Sequence, residues 1–207
     1  ETPRNAVQFC ELLGQTKLPP GLINVVHGRG ATVGKSIASS PEIGMITFTG
    51  SVATGSAILE ATAANITKAN LELGGKAPAI VAADADLDLA VEAVKASRLI
   101  NSGQVCNCAE RVYVQSDIAD EFTEKLAAAM GEARFGDPLA DESVDYGPLI
   151  NEDGVEKVDG LVKSAVGAGA SAVIGGQRGE GEGGFFYEPT VLAGAKQEMD
   201  VVRREIF

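Results

Sequence analysis

Cys106 is a candidate nucleophile because polar and flexible residues surround it in the segment 101–108, Asn-Ser-Gly-Gln-Val-Cys-Asn-Cys. The segment follows a helix predicted over 86–100, so Cys106 is expected on a turn that contains Gly103. A thiolate can attack a carbonyl carbon and form a covalent intermediate. A lone cysteine is more often a small buried apolar residue, and the residue type alone leaves this alternative open.

Glu72 is a candidate general base because it interrupts the apolar stretch between Leu71 and Leu73, directly before Gly74-Gly75. A carboxylate there is expected at a strand end, where partial burial would raise its pKa toward neutrality and suit it to accept a proton from water. The alternative is a solvent-facing residue on an edge strand, and the residue types favour neither.

Alternating helix and strand patterns indicate how these two side chains are positioned. Helices are predicted over 3–15, 31–39, 51–64, 86–100, 118–130 and 155–165. Strands are predicted over 23–27, 45–49, 69–73, 78–82, 111–115, 172–174 and 187–192, with a polar loop over 178–184. Ser116 or Asp117 is predicted to cap the helix that begins near residue 118. The alternation predicts an α/β fold with a parallel sheet.

Composition and charge exclude several classes of function. The 207 residues carry a net charge of −12, so the chain would repel nucleic acid and anionic membrane surfaces. No apolar run is long enough to span a bilayer, and the polar residues 1–5 do not resemble a signal peptide. We therefore expect neither a nucleic-acid partner nor a membrane partner.

The three cysteines, Cys10, Cys106 and Cys108, form an odd and sparse set. This pattern argues against a disulfide framework and predicts a reducing compartment, which we take to be the cytoplasm. The single histidine, His27, is far from the cysteine pair in sequence, so the four ligands of a tetrahedral zinc site are missing and no metal is expected.

Two glycine-containing segments are similar to nucleotide-binding motifs but have the wrong spacing. Gly34-Lys35-Ser36 matches the end of a P-loop, yet Arg29 stands where the first glycine is required. Gly28-Arg29-Gly30 is followed by Val33 where the dinucleotide fingerprint needs its third glycine. Both segments are predicted to be turns, although a loop at the carboxyl end of a strand can still meet a phosphate.

Two motifs show which family the chain resembles. Residues 71–76, Leu-Glu-Leu-Gly-Gly-Lys, and residues 103–106, Gly-Gln-Val-Cys, are similar to the two active-site signatures of the aldehyde dehydrogenase superfamily, with the separation usual in that family. Further segments match landmarks of the family in the same order, at 20–26, 48–55, 147–150, 189–192 and 205–207. The resemblance therefore covers the whole chain.

The resemblance implies the parallel-sheet fold of that superfamily. Residues 1–73 would form the C-terminal part of the NAD(P)-binding domain, and residues 74–207 the N-terminal part of the catalytic, thiol-bearing domain. Because chains of the superfamily are considerably longer, we expect an internal fragment that is inactive in isolation. The parent protein is expected to be a homo-oligomer, a dimer or a tetramer.

The resemblance also implies a reaction, the oxidation of an aldehyde to a carboxylic acid. Cys106 would form a thiohemiacetal and then a thioester, and Glu72 would activate the water that hydrolyses the thioester. The expected cofactor is NAD, with NADP as an alternative, and the expected partner is a small-molecule aldehyde. The family pattern places cofactor contacts at Gly28, Gly50, Ser51, Gly55, Leu73, Lys157 and Glu205.

For three of these residues the family pattern also implies which part of the cofactor they would contact. Leu73 would face the nicotinamide, and Lys157 and Glu205 would hold ribose hydroxyls. Lys157 also fits the polar face of an ordinary amphipathic helix. Glu205 follows Arg203-Arg204, where the family usually has another acid, so that its match is incomplete.

Residues 101–111 and 66–68 most resemble the branch of the superfamily that acts on lactaldehyde and glycolaldehyde. Asn107 is a candidate substrate contact because it adjoins Cys106, and Cys108 is predicted to be structural. Two alternatives remain: a relative that passes the thioester to coenzyme A, and a non-catalytic module that kept the fold. Glu72 favours hydrolysis over transfer to coenzyme A, and the pair of Cys106 and Glu72 argues against the non-catalytic module.

Overall fold

The computed structural model describes residues 2–181 and 184–207. Within it the chain divides into two compact units, Glu1–Leu73 and Gly74–Phe207. That these units serve cofactor binding and catalysis, respectively, stays a prediction.

The first unit is built around one strand–helix–strand element. Strand β1, Met45–Gly50, pairs in parallel with β2, Lys68–Leu73, and helix α3, Val52–Thr62, connects them. Ser51 follows β1 and caps α3, since its side-chain oxygen accepts a hydrogen bond from the Thr54 N–H. The unit also contains α1, Arg4–Gly14, a π-helical turn, Gly30–Gly34, α2, Lys35–Ala38, and a 3₁₀ turn, Ala63–Asn65.

The strand predicted over 23–27 is wrong, because this segment has no strand structure. Its β-branched residues match the local preference of a strand, but a strand also needs a hydrogen-bonded neighbour. In the described part of the chain, the strand pairing of the first unit involves β1 and β2 alone. Ile23, Val25 and Val26 are accordingly exposed.

The second unit contains two further strand pairs. Strand β3, Pro78–Val81, pairs in parallel with β4, Arg111–Val114, and helix α4, Leu87–Leu99, lies between them in sequence. Strand β5, Ser171–Ile174, instead pairs antiparallel with β6, Val191–Ala193. The described part of the connection between β5 and β6 contains no crossover helix, which a parallel pair would need.

Helices supply most of the core of the second unit. Helix α5, Ala119–Gly131, and α4 pack on β3 through Val81, Val91, Val94, Phe122, Leu126 and Met130. Helix α6, Glu152–Gly167, and the short α7, Asp200–Arg203, form a second cluster, which includes Leu161, Ala165, Val201 and Val202. None of the described helices has the length and apolarity that crossing a membrane requires.

Two local predictions in this unit need correction. Neither Ser116 nor Asp117 caps α5, because a 3₁₀ turn, Ser116–Ile118, precedes the helix and the Ser116 hydroxyl bonds to Asp117 instead. Strand β6 is shorter than the predicted 187–192 and begins at Val191; Tyr187 forms only an isolated bridge with Arg178. The polar loop predicted over 178–184 lies partly outside the described residues.

Candidate active site

The segment that leads to Cys106 has an unusual backbone. After α4 the chain forms a turn, Ile100–Gly103, in which Asn101, Ser102 and Gly103 all have positive φ, at 48°, 59° and 80°. Left-handed backbone costs energy in residues other than glycine, so other contacts must hold it. The Asn101 amide donates to the Gln104 carbonyl at 3.2 Å, and the Gln104 amide donates back to the Asn101 carbonyl at 3.1 Å.

A second set of contacts fixes the turn to the loop 147–150. The Ser102 hydroxyl donates to the Gly147 carbonyl at 2.8 Å. The side-chain oxygen of Gln104 accepts from the Ile150 N–H at 3.0 Å. Gln104 therefore bonds with both of its side-chain polar atoms, one inside the turn and one to the neighbouring loop, and this explains a polar residue next to the nucleophile.

The two cysteines of this segment have opposite environments. Cys106 is exposed on a turn, whereas Cys108 is only 2% exposed. The Cys108 thiol donates to the Gly103 carbonyl at 2.9 Å and accepts from Arg98 Nη1 at 3.1 Å. Cys108 is thus structural, as predicted, and it holds the turn from the buried side. Asn107 is exposed beside Cys106.

Position 103 requires glycine, because the Arg98 guanidinium lies too close to the turn to leave room for a side chain. A Cβ at position 103 would lie 2.8 Å from the guanidinium carbon of Arg98, and the positive φ of 80° also disfavours a side chain. Arg98 comes from the last turn of α4, so the helix positions the guanidinium beneath the turn. Cys106 is therefore exposed to solvent, on a turn that Arg98 and Cys108 hold from the protein interior.

A buried ion pair lies behind this turn, and the sequence analysis did not identify it. Lys76 Nζ lies 2.9 Å from Glu110 Oε2, with the two side chains 5% and 3% exposed. Arg98 Nη1 lies 3.7 Å from the other Glu110 oxygen. Lys76 and Glu110 each shortly precede one of the paired parallel strands β3 and β4, and this placement of opposite charges is the signal that could have revealed the pair.

Burial and pairing shift the pKa values of both partners. Burial raises the pKa of Glu110, but the hydrogen bond from the Ile206 N–H, the contact with charged Lys76 and the hydrogen bond from the Phe207 N–H outweigh it and hold the pKa below its ordinary value. Burial lowers the pKa of Lys76, and the attraction of Glu110 opposes this only in part. Within the described part of the chain Lys76 Nζ makes no hydrogen bond of good geometry, so its contact with Glu110 is mainly electrostatic.

Glu205 contacts the glycine pair that follows Glu72 in the sequence. Its carboxylate accepts a hydrogen bond from the Gly75 N–H at 3.1 Å. A Cβ at Gly74 would collide with the same carboxylate, so glycine is required for this approach. Lys157, the other predicted ribose contact, is exposed on α6.

Four predicted cofactor residues of the first unit, Gly50, Ser51, Gly55 and Leu73, lie around the start of α3. Ser51 caps this helix, and Gly55, one turn further on, is buried against Leu73: a Cβ at Gly55 would lie 2.8 Å from the Leu73 side chain. The Phe48 ring occupies the corresponding space beside Gly50. The absence of a side chain at Gly55 and Gly50 therefore leaves room for the side chains of Leu73 and Phe48, respectively.

Gly28 and Glu72 are the remaining predicted site residues of the first unit. A Cβ at Gly28 would collide with the Val33 side chain, so this glycine also has a local packing role. Glu72 is exposed on β2, because this strand alternates exposed and half-buried residues and Glu72 lies on the exposed face. Of the two alternatives that the sequence left open, partial burial and exposure, the structure shows exposure. Glu72 belongs to the first unit and Cys106 to the second.

Comparison with known proteins gives a family model and several relatives. The model described as the aldehyde dehydrogenase family matches residues 1–207. Lactaldehyde dehydrogenase of Escherichia coli is 50% identical over 206 residues, which cover 100% of this chain and 43% of the relative. Its crystal structure has a TM-score of 0.94 over 97% of this chain and 42% of that chain.

Two other relatives differ in the aldehyde and cofactor that their names give. The NADP⁺ succinate-semialdehyde dehydrogenase of Escherichia coli is 42% identical over 207 residues, covering 100% of this chain and 42% of the relative. The structure of betaine aldehyde dehydrogenase from Staphylococcus aureus in complex with NAD⁺ has a TM-score of 0.94 at 32% identity, over 99% of this chain and 41% of that chain. The chain thus spans about two fifths of the length of these relatives.

Proposed function

The chain belongs to the aldehyde dehydrogenase family over residues 1–207, and on this premise we propose that it is the part of an NAD(P)-dependent enzyme that carries the nucleophile Cys106 and the base Glu72. The proposal concerns a protein of the relatives' length that contains these residues, which we call the full-length protein. The observation that carries it is the exposed Cys106 on a turn held from below by Arg98 and Cys108.

In the proposed reaction the Cys106 thiolate attacks the aldehyde carbon and forms a thiohemiacetal. When bound, NAD(P)⁺ would supply the hydride acceptor for this oxidation, and Cys106 would carry the resulting thioester. Glu72 then takes a proton from water, which attacks the thioester carbonyl and releases the carboxylic acid and the free thiol. The exposure of Glu72 fits contact with water.

The residues around α3 fit a dinucleotide. The Ser51 side chain accepts a hydrogen bond from the Thr54 N–H. The backbone N–H groups of Val52 and Ala53, in the exposed first turn of the helix, have no partner within the helix and could bind a phosphate. We assign the cofactor contacts to Gly28, Gly50, Ser51, Gly55, Leu73, Lys157 and Glu205. The named cofactors of the relatives support either NAD⁺ or NADP⁺.

For the substrate we propose a small hydroxyaldehyde, such as lactaldehyde or glycolaldehyde. The 50% identity to lactaldehyde dehydrogenase supports this choice, and Asn107, exposed beside Cys106, is the proposed contact with the substrate. We further propose a homo-oligomer, a dimer or a tetramer. A cytoplasmic location is consistent with the three cysteines, which are all free thiols.

The test compares two cysteine variants of the full-length protein. Cys106→Ala should abolish NADH production from glycolaldehyde and the acyl-enzyme seen by mass spectrometry. Cys108→Ala should keep the acyl-enzyme, although the loss of its buried hydrogen bonds should lower the free energy of unfolding by about 1–3 kcal/mol. Normal turnover by Cys106→Ala would overturn the assignment of the nucleophile.

The same assay separates the proposed hydrolysis from its alternative, transfer to coenzyme A. A hydrolytic enzyme should reach full rate without coenzyme A. A rate that requires coenzyme A, with an acyl thioester of coenzyme A as product, would favour the alternative.

A further inference from the structure

We propose that Glu110 is a positioning residue, whose buried carboxylate holds the backbone that follows Glu205 and so directs the Glu205 carboxylate to its place in the cofactor site. The proposal rests on the proposed function, because Glu205 is a cofactor contact only there. Glu110 itself touches neither substrate nor cofactor in this scheme.

Both oxygens of Glu110 bind backbone of the same segment. The Ile206 N–H donates to Oε2 at 3.0 Å, and the Phe207 N–H donates to Oε1 at 2.7 Å. The Glu110 side chain is only 3% exposed, so water hardly competes for these hydrogen bonds. Two bonds to successive N–H groups fix the direction of the backbone as well as its position, and Glu205 is the residue immediately before them.

The Glu205 carboxylate returns to the segment that carries the counter-charge of Glu110. Glu205 accepts from the Gly75 N–H at 3.1 Å, and the next residue, Lys76, places its Nζ 2.9 Å from Glu110. Each of the two carboxylates therefore holds one backbone segment. Glu110 binds the residues after Glu205, and Glu205 binds the residue before Lys76. Glu110 and Glu205 together therefore connect the segment 75–76 with the segment 205–207.

The turn before Cys106 shares this buried carboxylate through Arg98. Arg98 Nη1 lies 3.7 Å from Glu110 Oε1 and donates to the Cys108 sulfur at 3.1 Å. One carboxylate thus faces both the proposed cofactor-holding segment and the segment that presents the nucleophile. Because it contacts both segments, Glu110 differs from a carboxylate whose only role is to neutralise the charge of a lysine.

The test replaces Glu110 with Gln in the full-length protein. The amide oxygen of Gln can accept one of the two N–H groups, but the amide nitrogen cannot accept the other. We expect the KM for NAD(P)⁺ to rise about ten-fold, as for the loss of one charge-assisted hydrogen bond, with a smaller change in kcat. Hydrogen exchange of the Ile206 and Phe207 amides should accelerate in the same variant.

Glu152→Gln is the matched control, because it makes the same substitution in an ion pair with Arg178 in which both side chains are 46% exposed. The control should leave the cofactor KM and the exchange of Ile206 and Phe207 unchanged. Unchanged exchange in Glu110→Gln would overturn the proposal. Faster exchange with an unchanged cofactor KM would also overturn it, since Glu110 would then hold the segment without serving the cofactor.

The two readouts separate this proposal from the proposed function. A wild-type protein that neither binds NAD(P)⁺ nor oxidises aldehydes would overturn the proposed function, and the role of Glu110 toward a cofactor with it. The exchange of Ile206 and Phe207 needs no cofactor, so it would still show whether Glu110 holds the segment after Glu205.

Discussion

Glu72 and Glu110 illustrate how differently the same side chain is used in this chain. Glu72 is exposed on a strand, and no partner in the described residues holds its carboxylate by a hydrogen bond or an ion pair. Glu110 is buried with a lysine and two backbone N–H groups. A carboxylate without fixed partners is open to contact with water, whereas one held by several partners is suited to hold structure.

We predict that Glu72→Gln in the full-length protein separates the two halves of the reaction. An amide cannot accept the proton of water, so the first turnover should release NADH in a burst and the acyl-enzyme should then accumulate. Rapid-quench kinetics and mass spectrometry of the Cys106 peptide measure the two effects. A steady rate without accumulated thioester would exclude Glu72 as the base of the hydrolysis step.

Glu110 should give the stability of the chain a dependence on acid pH. Its pKa lies below the ordinary value of 4.5 in the folded chain. A carboxyl group of this kind stabilises the fold above its unfolded pKa, and the contribution is lost as the pH falls through the folded value. Burial lowers the pKa of Lys76, the charge that faces it, so the acid-side effect argued here is that of the Glu110 carboxyl group.

The prediction is that the free energy of unfolding falls more steeply below pH 4.5 in the wild-type chain than in Glu110→Gln. Urea denaturation between neutral pH and pH 3 measures both curves, with Glu152→Gln as the control for an exposed carboxylate. Parallel curves for wild type and Glu110→Gln would contradict the burial and pairing described for this side chain.

At the scale of elements, the turn before Cys106 requires glycine at position 103, whereas helix α6 does not require glycine at position 160. Gly103 has a φ of 80° and lies against Arg98, whereas Gly160 lies within α6 with open space where a Cβ would be. Gly103→Ala should destabilise the chain by about 1–3 kcal/mol through backbone strain. Gly160→Ala should stabilise it by about 0.8–1 kcal/mol, since alanine favours helix.

Thermal or urea denaturation of the two glycine variants provides the measurement, and the opposite signs are the critical result. The same substitution at both positions controls for the change in the unfolded chain. A Gly103→Ala variant as stable as Gly160→Ala would mean that the left-handed turn is not required.

The sequence predicts the elements whose cause is local. The helix stripe in α5, with Phe122 and Leu126, and the strand pattern of β1 follow from periodicity over a few residues, and the structure contains both elements. The segment 23–27 has equally suitable residues but no hydrogen-bonded partner strand, and such a partner cannot be read from the segment itself.

The same distinction applies to the candidate site. Cys106, Glu72 and the glycine pair are recognisable because each lies in a short, family-like motif. Glu110 bonds to residues that lie 96 and 97 positions away, so its role depends on tertiary contacts that no local pattern records. The sequence left burial and exposure of Glu72 open for a related reason: the exposed face of a strand is decided by what packs against it.

Considered as a whole, the chain buries its apolar residues unevenly. Among the described residues, the three clusters of buried apolar residues all lie in the second unit. In the first unit many large apolar side chains are exposed, among them Val26, Met45 and Ile66, the last at 90%. Strands β1 and β2 also form a sheet of only two strands, so each has an unpaired edge. Exposed apolar surface next to open strand edges favours association between copies.

We therefore predict that the 207-residue chain by itself associates in solution and does not turn over glycolaldehyde with NAD⁺. Light scattering across a concentration series and an NADH assay measure the two properties. Val26→Lys and Ile66→Lys should reduce the association, whereas Lys68→Arg, which keeps a charge on β2, should not. A monodisperse monomer with robust turnover would show that two fifths of the relatives' length is sufficient for catalysis.

The contrast between the two neighbouring cysteines also makes the chain convenient for chemical labelling. An alkylating fluorophore or spin label should modify exposed Cys106 first, half-buried Cys10 more slowly, and Cys108 only after unfolding. A reporter group could therefore be attached at the end of the left-handed turn without any engineered cysteine. The signal from that reporter would register the local mobility of the turn, and peptide mapping of the labelled protein would also give a simple assay of whether a preparation is folded.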